Sequence, residues 1–316
     1  MPSDSLPISN IHECWFVTGA TATGKTRVGI EIAKQIKAEV ISLDSMAVYR
    51  GMNIGTAKAT AEQLADVPHH LIDLVEPSEE FSVAEFLLAC EMKIEEIRSR
   101  GRTVLFVGGT PLYLKTLLRG MYQGPPADWE FREEVEREVT ATGMAPLLER
   151  LQQVDPLAAA KLHPHDKRRI IRALEVYKIT GHPISHQQIH FDDDAVSQAK
   201  HVFVLSLPRP ALHRRIEKRV DRMFELGLVE EVRSLLVRHR CLSRTALQAV
   251  GYREVVEHLE GKHSLSETVE LVKQRTRQFA RRQETWFRRL SECQNISIDE
   301  AANVREIVGE IRRRCD

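Results

Sequence analysis

Gly19-Ala20-Thr21-Ala22-Thr23-Gly24-Lys25-Thr26 follows directly on the apolar run Trp15-Phe16-Val17 and leads into Val28, Ile30, Ile32, Ala33 and Ile36. The run before it is short enough for a buried strand, and the residues after it are apolar at roughly helical spacing. Strand, G-x-x-x-x-G-K-[ST], helix is the order that makes this motif a phosphate-binding loop, the P-loop. Gly19 and Gly24 let the backbone turn tightly and aim its N–H groups at phosphate oxygens. The helix N-terminus adds partial positive charge. Lys25 neutralises an outer phosphate, and Thr26 is placed to hold Mg2+. The stretch 19–26 therefore predicts a di- or triphosphate site, with ATP among the ligands such loops bind, and leaves open what happens to that ligand.

The chain has 316 residues, 42% hydrophobic and 28% charged, which suits a globular protein of two domains or one with a large insertion. Its 45 Lys and Arg balance 45 Asp and Glu, so a nucleic-acid partner requires local clustering of charge. The cysteines (Cys14, Cys90, Cys241, Cys293, Cys315) are scattered and odd in number, without a C-x-x-C pair. That predicts reduced thiols and a cytoplasmic protein. The N-terminal MPSDSLPISN lacks the basic and apolar regions of a signal peptide, and no long apolar run predicts a membrane span.

Along the chain, Ala38 to Leu43 reads as a buried strand ending at Asp44-Ser45. An acid at that end of a strand beside the P-loop strand faces the ligand crevice, unless it serves as a turn or cap residue. Met46 to Lys58 reads as a long functional loop rather than a packed element. Ser82 and Glu85 form a capping box for a helix running to about Arg100. The next strand, Thr103 to Val107, ends in Gly108-Gly109-Thr110. P-loop kinases and ATPases usually end a nearby strand with a Mg2+-holding Asp. Its absence argues against plain nucleotide hydrolysis and leaves Asp44 free for another role.

Gly124-Pro125-Pro126 marks a boundary. The expected organisation is a first core part over 1–125, a helical insertion over 126–198, and a continued core over 199–316. Within the insertion, the acidic helix Trp129 to Thr140 reads as a solvated face. Asp166 caps a helix whose first turns carry Lys167, Arg168, Arg169 and Arg172. Cations there oppose the helix dipole, which suggests a polyanionic ligand. His182, His186 and His190 share helical spacing but lack a completing carboxylate or thiol, so solvated or core histidines are expected rather than a metal site. His201 to Leu207 returns the chain to the sheet. The helix Leu212 to Leu226 places Arg215, Arg219 and Arg222 on one face. The helix Glu267 to Leu290 carries Lys273, Arg275, Arg277, Arg281, Arg282, Arg288 and Arg289 with few acids near in sequence, and with Gln283, Trp286 and Phe287 among them. Arg-rich helices with an aromatic fit RNA backbone and unpaired bases. The expected fold is α/β: a P-loop NTPase-like parallel sheet core with a helical insertion domain.

Together these pieces resemble the tRNA dimethylallyltransferases, also called tRNA isopentenyltransferases or the IPP transferase family. The resemblance rests on GATATGKT (19–26), ISLDSMAVYRGMNIGTAK (41–58), LFVGGTPLYLKTLL (105–118), DKRRIIRALEVY (166–177), VGYREV (250–255) and RRQETWFR (281–288), and so covers nearly the whole length. The family's loop typically reads GPTASGKT; Ala20 and Thr23 depart from it but keep the glycines and Lys25-Thr26. The resemblance implies transfer of a dimethylallyl group from dimethylallyl diphosphate to the exocyclic amine of the adenosine at tRNA position 37. It implies Asp44 as general base, Thr110 as a polar contact to the reacting region, Arg219 on the diphosphate and Mg2+ as cofactor. It also implies tRNA contacts from Asp44, Ser45, Met46, Ala47, Thr110 and Arg132, from Lys167, Arg168, Arg169, Ile170 and Ile171, from Gln248, Ala249, Val250, Gly251, Tyr252 and Arg253, and from Arg281, Arg282, Gln283, Glu284, Thr285, Trp286, Phe287 and Arg288. A monomer suffices for such a reaction. The rival expectations are an adenylate dimethylallyltransferase, which has little use for the basic helices, a P-loop small-molecule kinase, and an RNA-binding nucleotide switch.

Overall fold

The computed structural model describes residues 10–122, 124–188 and 199–315. In chain order its elements are β1 (Trp15–Gly19), α1 (Lys25–Ile36), β2 (Ala38–Ser42), α2 (Ala61–Asp66), β3 (His69–His70), α3 (Val83–Ser99), β4 (Thr103–Val107) and α4 (Pro111–Arg119). Next come α5 (Trp129–Thr142), α6 (Ala145–Val154), α7 (Pro156–Lys161), α8 (Lys167–Thr180) and α9 (Ile184–Gln188). Then β5 (Val202–Ser206), α10 (Arg209–Glu225), α11 (Leu228–His239), α12 (Tyr252–Leu259), α13 (Leu265–Phe287), β6 (Gln294–Ser297) and α14 (Val304–Arg313) complete the chain. These fall into two compact units, one over 119–122 and 124–188, the other over 10–118 and 199–315.

The larger unit is built on a six-stranded sheet in the order β3-β2-β4-β1-β5-β6, and every pairing is parallel. Its central strands β1, β2, β4 and β5 are buried on both faces, and the period of two sorts their side chains cleanly. Val17, Val40, Leu105, Val107, Phe203 and Leu205 pack on one face with α1, α10, α13 and α14. Phe16, Ile41, Val104, Phe106, Val202 and Val204 pack on the other with α3 and α4. The capping box of α3 is formed, with the Ser82 side chain accepting from Glu85 N. The strand β6 was not legible in the sequence. β6 is a short edge strand, and α14 docks Ile307, Val308 and Ile311 onto the α1 face.

The stretch 46–58 corrects the sequence expectation. Val48, Tyr49 and Met52 are fully buried and form a third core with α11 and α12. The segment is irregular in backbone but packed, because its apolar partners come from helices late in the chain.

The smaller unit is all-helical around Val135, Leu147, Leu151, Ile170, Ile171 and Leu174. It begins at α4's last residue, several positions before the Gly-Pro-Pro stretch. Its polar centre is Glu175, whose side chain is fully buried. The carboxylate accepts from Arg132 Nε at 2.7 Å, Arg132 Nη2 at 2.8 Å and Asp128 N at 2.8 Å, and it pairs with Arg172. Burial pushes the Glu175 carboxyl up, but its arginine partners outweigh that and hold it below the usual range. Removing the carboxylate strands two partly buried guanidinium groups. Glu175→Ala is therefore expected to destabilise the protein by about 3 kcal/mol, toward the low end for a broken buried pair because both arginines keep some solvent. A urea unfolding curve checks it.

Candidate active site

The P-loop, Asp44 and the Gly108-Gly109-Thr110 turn all leave the carboxyl ends of adjacent strands, β1, β2 and β4, where open α/β sheets bind ligands. Backbone approach dictates the glycines. A Cβ on Gly19 would lie 2.4 Å from the Leu205 carbonyl oxygen, and one on Gly108 only 2.1 Å from that of Leu43. Ala22 and Gly24 both take positive φ, at 65° and 94°, to turn the loop into α1. Thr23 Oγ1 and Lys25 Nζ both donate to the Ala20 carbonyl, at 2.9 and 2.7 Å, so the lysine lies across the loop.

Facing the loop, Asp44 Oδ1 accepts from Met46 N at 2.9 Å. Its Oδ2 has no hydrogen-bond partner among the described residues. Thr110 Oγ1 accepts from Ser45 N at 3.0 Å and fixes the backbone that carries Asp44. Arg219 reaches in from α10, half-buried, with Nη2 3.4 Å from the Thr56 carbonyl oxygen. These groups share a cavity of about 280 Å³, close to the lower end of ordinary ligand pockets, roughly 300 Å³. Val220 and Met223 of α10 and Val272, Thr276, Phe279 and Gln283 of α13 supply much of the rest of its wall. Thr26 also lines it, and its hydroxyl has no partner among the described residues. Polar groups for a diphosphate and apolar side chains for a hydrocarbon thus meet in one pocket.

The electrostatics are coupled. Burial, then the Arg219 charge, pushes the Lys25 ammonium down to about 7, against the pull of Asp44. Arg219 is likewise lowered by burial and supported by Asp44. In the folded protein Lys25 releases its proton before it does in the unfolded chain. Its contribution to stability therefore rises with pH from about 7 to the ordinary lysine value of 10.5. A diphosphate bound against Lys25 would reverse the shift. Binding of a diphosphate at pH 8 is expected to take up close to one proton, and at pH 6 close to none. Calorimetry in buffers of different ionisation heat measures that uptake, and Lys25→Met should abolish it.

Two supporting groups, Glu231 and Lys58, were not among the expected site residues, although Lys58 closes the 41–58 run. Glu231 of α11 accepts from Asn53 N at 3.0 Å, Ile54 N at 2.8 Å, Gly55 N at 3.4 Å and the Tyr252 hydroxyl at 2.6 Å. It pins the segment that carries Gly55 to Ala59 into the pocket wall. A Cβ on Gly55 would meet the Tyr252 ring at 2.4 Å, which explains that glycine. Lys58 is held by Tyr49 O at 2.7 Å and Asp73 Oδ1 at 2.6 Å.

The expected tRNA contacts divide by burial. Arg281, Arg282 and Arg288 are exposed and make no ion pair among the described residues; Lys167, Arg168, Arg169, Gln248, Arg253 and Thr285 are also exposed. Asp44, Ser45, Met46, Thr110, Val250, Glu284 and Trp286 are half-buried, and Gly251 and Ala47 are buried. Several of the expected residues do not present their side chains at the surface. Ile170, Ile171, Ala249, Tyr252 and Phe287 are core side chains, and Gln283 is buried and hydrogen-bonded to the P-loop. Arg132 is spent on Glu175 and stacks over Trp129 at 4.8 Å. The apparent shortage of acids near α13 dissolves for Lys273, Arg275 and Arg277, but not for Arg281 and Arg282. Lys273 meets Asp221 at 2.8 Å and Glu270 at 2.9 Å, Arg275 meets Glu254 at 2.5 Å, and Arg277 meets Glu217 at 3.0 Å. Those acids lie elsewhere in the chain or in the turn before. Among the described residues no three His, Cys, Asp or Glu side chains group as metal ligands, and His190 lies outside them.

Residues 47–290 match the family model described as IPP transferase. The chain belongs to the IPP transferase family. Family relatives include the tRNA dimethylallyltransferase of Rhodopirellula baltica, 49% identical over 92% of this chain and 90% of that one. That of Geobacter metallireducens is 46% identical over 87% and 89%. Among solved structures, the full-length tRNA isopentenylpyrophosphate transferase of Bacillus halodurans is 39% identical with a TM-score of 0.68, covering 96% of each chain. A eukaryotic dimethylallyltransferase acting on tRNA is 28% identical with a TM-score of 0.74, over 90% of this chain and 73% of that one. The α/β fold with a parallel sheet is the one the sequence predicted.

Proposed function

We propose that this chain transfers the dimethylallyl group of dimethylallyl diphosphate to the N6 amine of the adenosine at tRNA position 37, beside the anticodon. The observation that carries the proposal is the pocket's composition. A P-loop lysine, a second cation and an unpaired carboxylate oxygen share one cavity with apolar walls, in a chain whose relatives are tRNA dimethylallyltransferases.

The roles follow from the chemistry. The allylic C–O bond breaks and diphosphate leaves with the bonding electrons. Loop N–H groups, Lys25 and Arg219 stabilise the charge that grows on it. The N6–C bond forms, nitrogen becomes cationic, and Asp44 Oδ2 takes its proton. A carboxylate is basic enough, because the alkylated nitrogen is far more acidic than the free amine. Thr110 holds Ser45, and so Asp44, in place. Mg2+ fits the Thr26 hydroxyl, since this ion is usually held by one or two protein oxygens plus substrate phosphates. When bound it would screen the leaving diphosphate. The adenine must leave its stack to enter the pocket. Exposed Arg281, Arg282 and Arg288, with Lys167, Arg168 and Arg169 of the helical unit, supply cations for RNA phosphates. Among the described residues no helix is long and apolar enough to cross a membrane, and all five cysteines are free, which supports action in the cytoplasm.

Labelled dimethylallyl diphosphate and Mg2+, offered with unmodified tRNA and AMP together, test the proposal. Label in tRNA alone is the expected result. Label in AMP would place the chain with the adenylate enzymes, and ATP turnover without transfer would return the loop to kinase chemistry.

A further inference from the structure

Gln283 sits on α13 between two classes of neighbour. Arg281 and Arg282 before it are exposed, whereas Gln283 itself is 3% exposed. Its amide is used at both ends. Oε1 accepts from Thr21 N at 2.9 Å, and Nε2 donates to the Gly109 carbonyl oxygen at 2.5 Å. One side chain therefore ties the P-loop after β1 to the turn after β4, across two adjacent strand ends. The space is built for it. A Cβ on Gly109 would come within 2.8 Å of Gln283 Nε2 and 3.3 Å of Lys25 Nζ, so any side chain there displaces the amide, the lysine or both. Each end of the amide thus spends a hydrogen bond on the backbone of the site.

We propose that Gln283 is a positioning residue for the phosphate loop, setting the loop's conformation for the diphosphate end of the substrate, and not a tRNA contact. This rests on the transferase reading for its substrate but not for its geometry. An amide is the side chain the position requires. It must accept from one backbone N–H and donate to one backbone carbonyl, and it must carry no charge beside an incoming diphosphate. Glutamate keeps the size and the acceptor but loses the donor and adds a negative charge facing the phosphates. Methionine keeps the length and loses both hydrogen bonds.

The test uses the full chain with Gln283→Met, Gln283→Glu and an Arg281→Ala/Arg282→Ala double variant. Three quantities are measured: the Kd for inorganic diphosphate, the Kd for unmodified tRNA, and KM and kcat for dimethylallyl diphosphate. Gln283→Met is expected to raise KM and the diphosphate Kd about tenfold, with tRNA Kd within about twofold of wild type. Gln283→Glu, which conserves volume and one hydrogen bond and so guards against misfolding, should raise both further. The double arginine variant should show the opposite split. Weakened tRNA binding by the Gln283 variants with unchanged diphosphate affinity would overturn the assignment, as would a Glu variant that binds diphosphate like wild type. A chain that binds diphosphate with this Gln283 dependence yet transfers nothing to tRNA would sink the transferase reading and leave the loop assignment standing.

Discussion

Asp44→Asn should lower kcat for dimethylallyl transfer by about 10²- to 10⁴-fold, the range lost with a general base. The substitution is chosen for what it keeps. Asn retains an oxygen to accept from Met46 N, so the 2.9 Å contact and the turn held by Thr110 survive. What it removes is the basicity of Oδ2, the atom left without a protein partner. KM for dimethylallyl diphosphate and the Kd for tRNA should therefore stay near wild type, because Asp44 acts after both substrates are in place. Single-turnover transfer beside filter binding of tRNA separates these quantities. If tRNA affinity falls as far as kcat does, Asp44 is a scaffold for the 44–47 segment and another group accepts the proton.

Lys25→Met should cost about 10²- to 10³-fold in kcat/KM, the scale of losing one preorganised charge-stabilising donor. The side chain keeps its length and much of its volume, so α1 and the Ala20 turn are disturbed little. Two consequences accompany the rate loss. The proton uptake on binding diphosphate near pH 8 disappears, because the amine that takes up the proton is gone. The diphosphate Kd also becomes flat with pH where in wild type affinity falls as pH rises past that value. Arginine at this position would not restore the pH dependence, since its guanidinium does not titrate there. A variant with wild-type pH dependence would place the titrating group elsewhere.

The parts of this protein governed by local rules were readable in its sequence. The P-loop, the capping box of α3 and the alternation of Phe16 with Val17 or Val104 with Leu105 are each set by neighbours a few residues away. Asp44 was legible because a strand end fixes where an acid points, and Gly108-Gly109-Thr110 because an expected acid was missing from it. What was hidden depends on contacts distant in sequence. Tyr49 and Met52 have no periodicity, and their burial is decided by α11 and α12, some 180 residues on. Glu231, Glu217 and Glu254 look like surface acids on amphipathic helices, yet one clamps three backbone N–H groups and the others pair with Arg277 and Arg275 of α13. Gln283 lies in an Arg-rich run that points to RNA, and only its burial shows that its side chain turns the other way. Helical period separates faces, but it does not say which polar residue on an inward face meets a loop.

The central claim is that one pocket alkylates one adenosine of tRNA. The most direct test is to incubate the purified chain with dimethylallyl diphosphate, Mg2+ and unmodified tRNA, digest the product, and map the modified nucleoside by mass spectrometry. The account predicts N6-dimethylallyladenosine at position 37, formed by wild type and lost in Asp44→Asn. Modification at another position, or an unchanged tRNA alongside modified AMP, would contradict it.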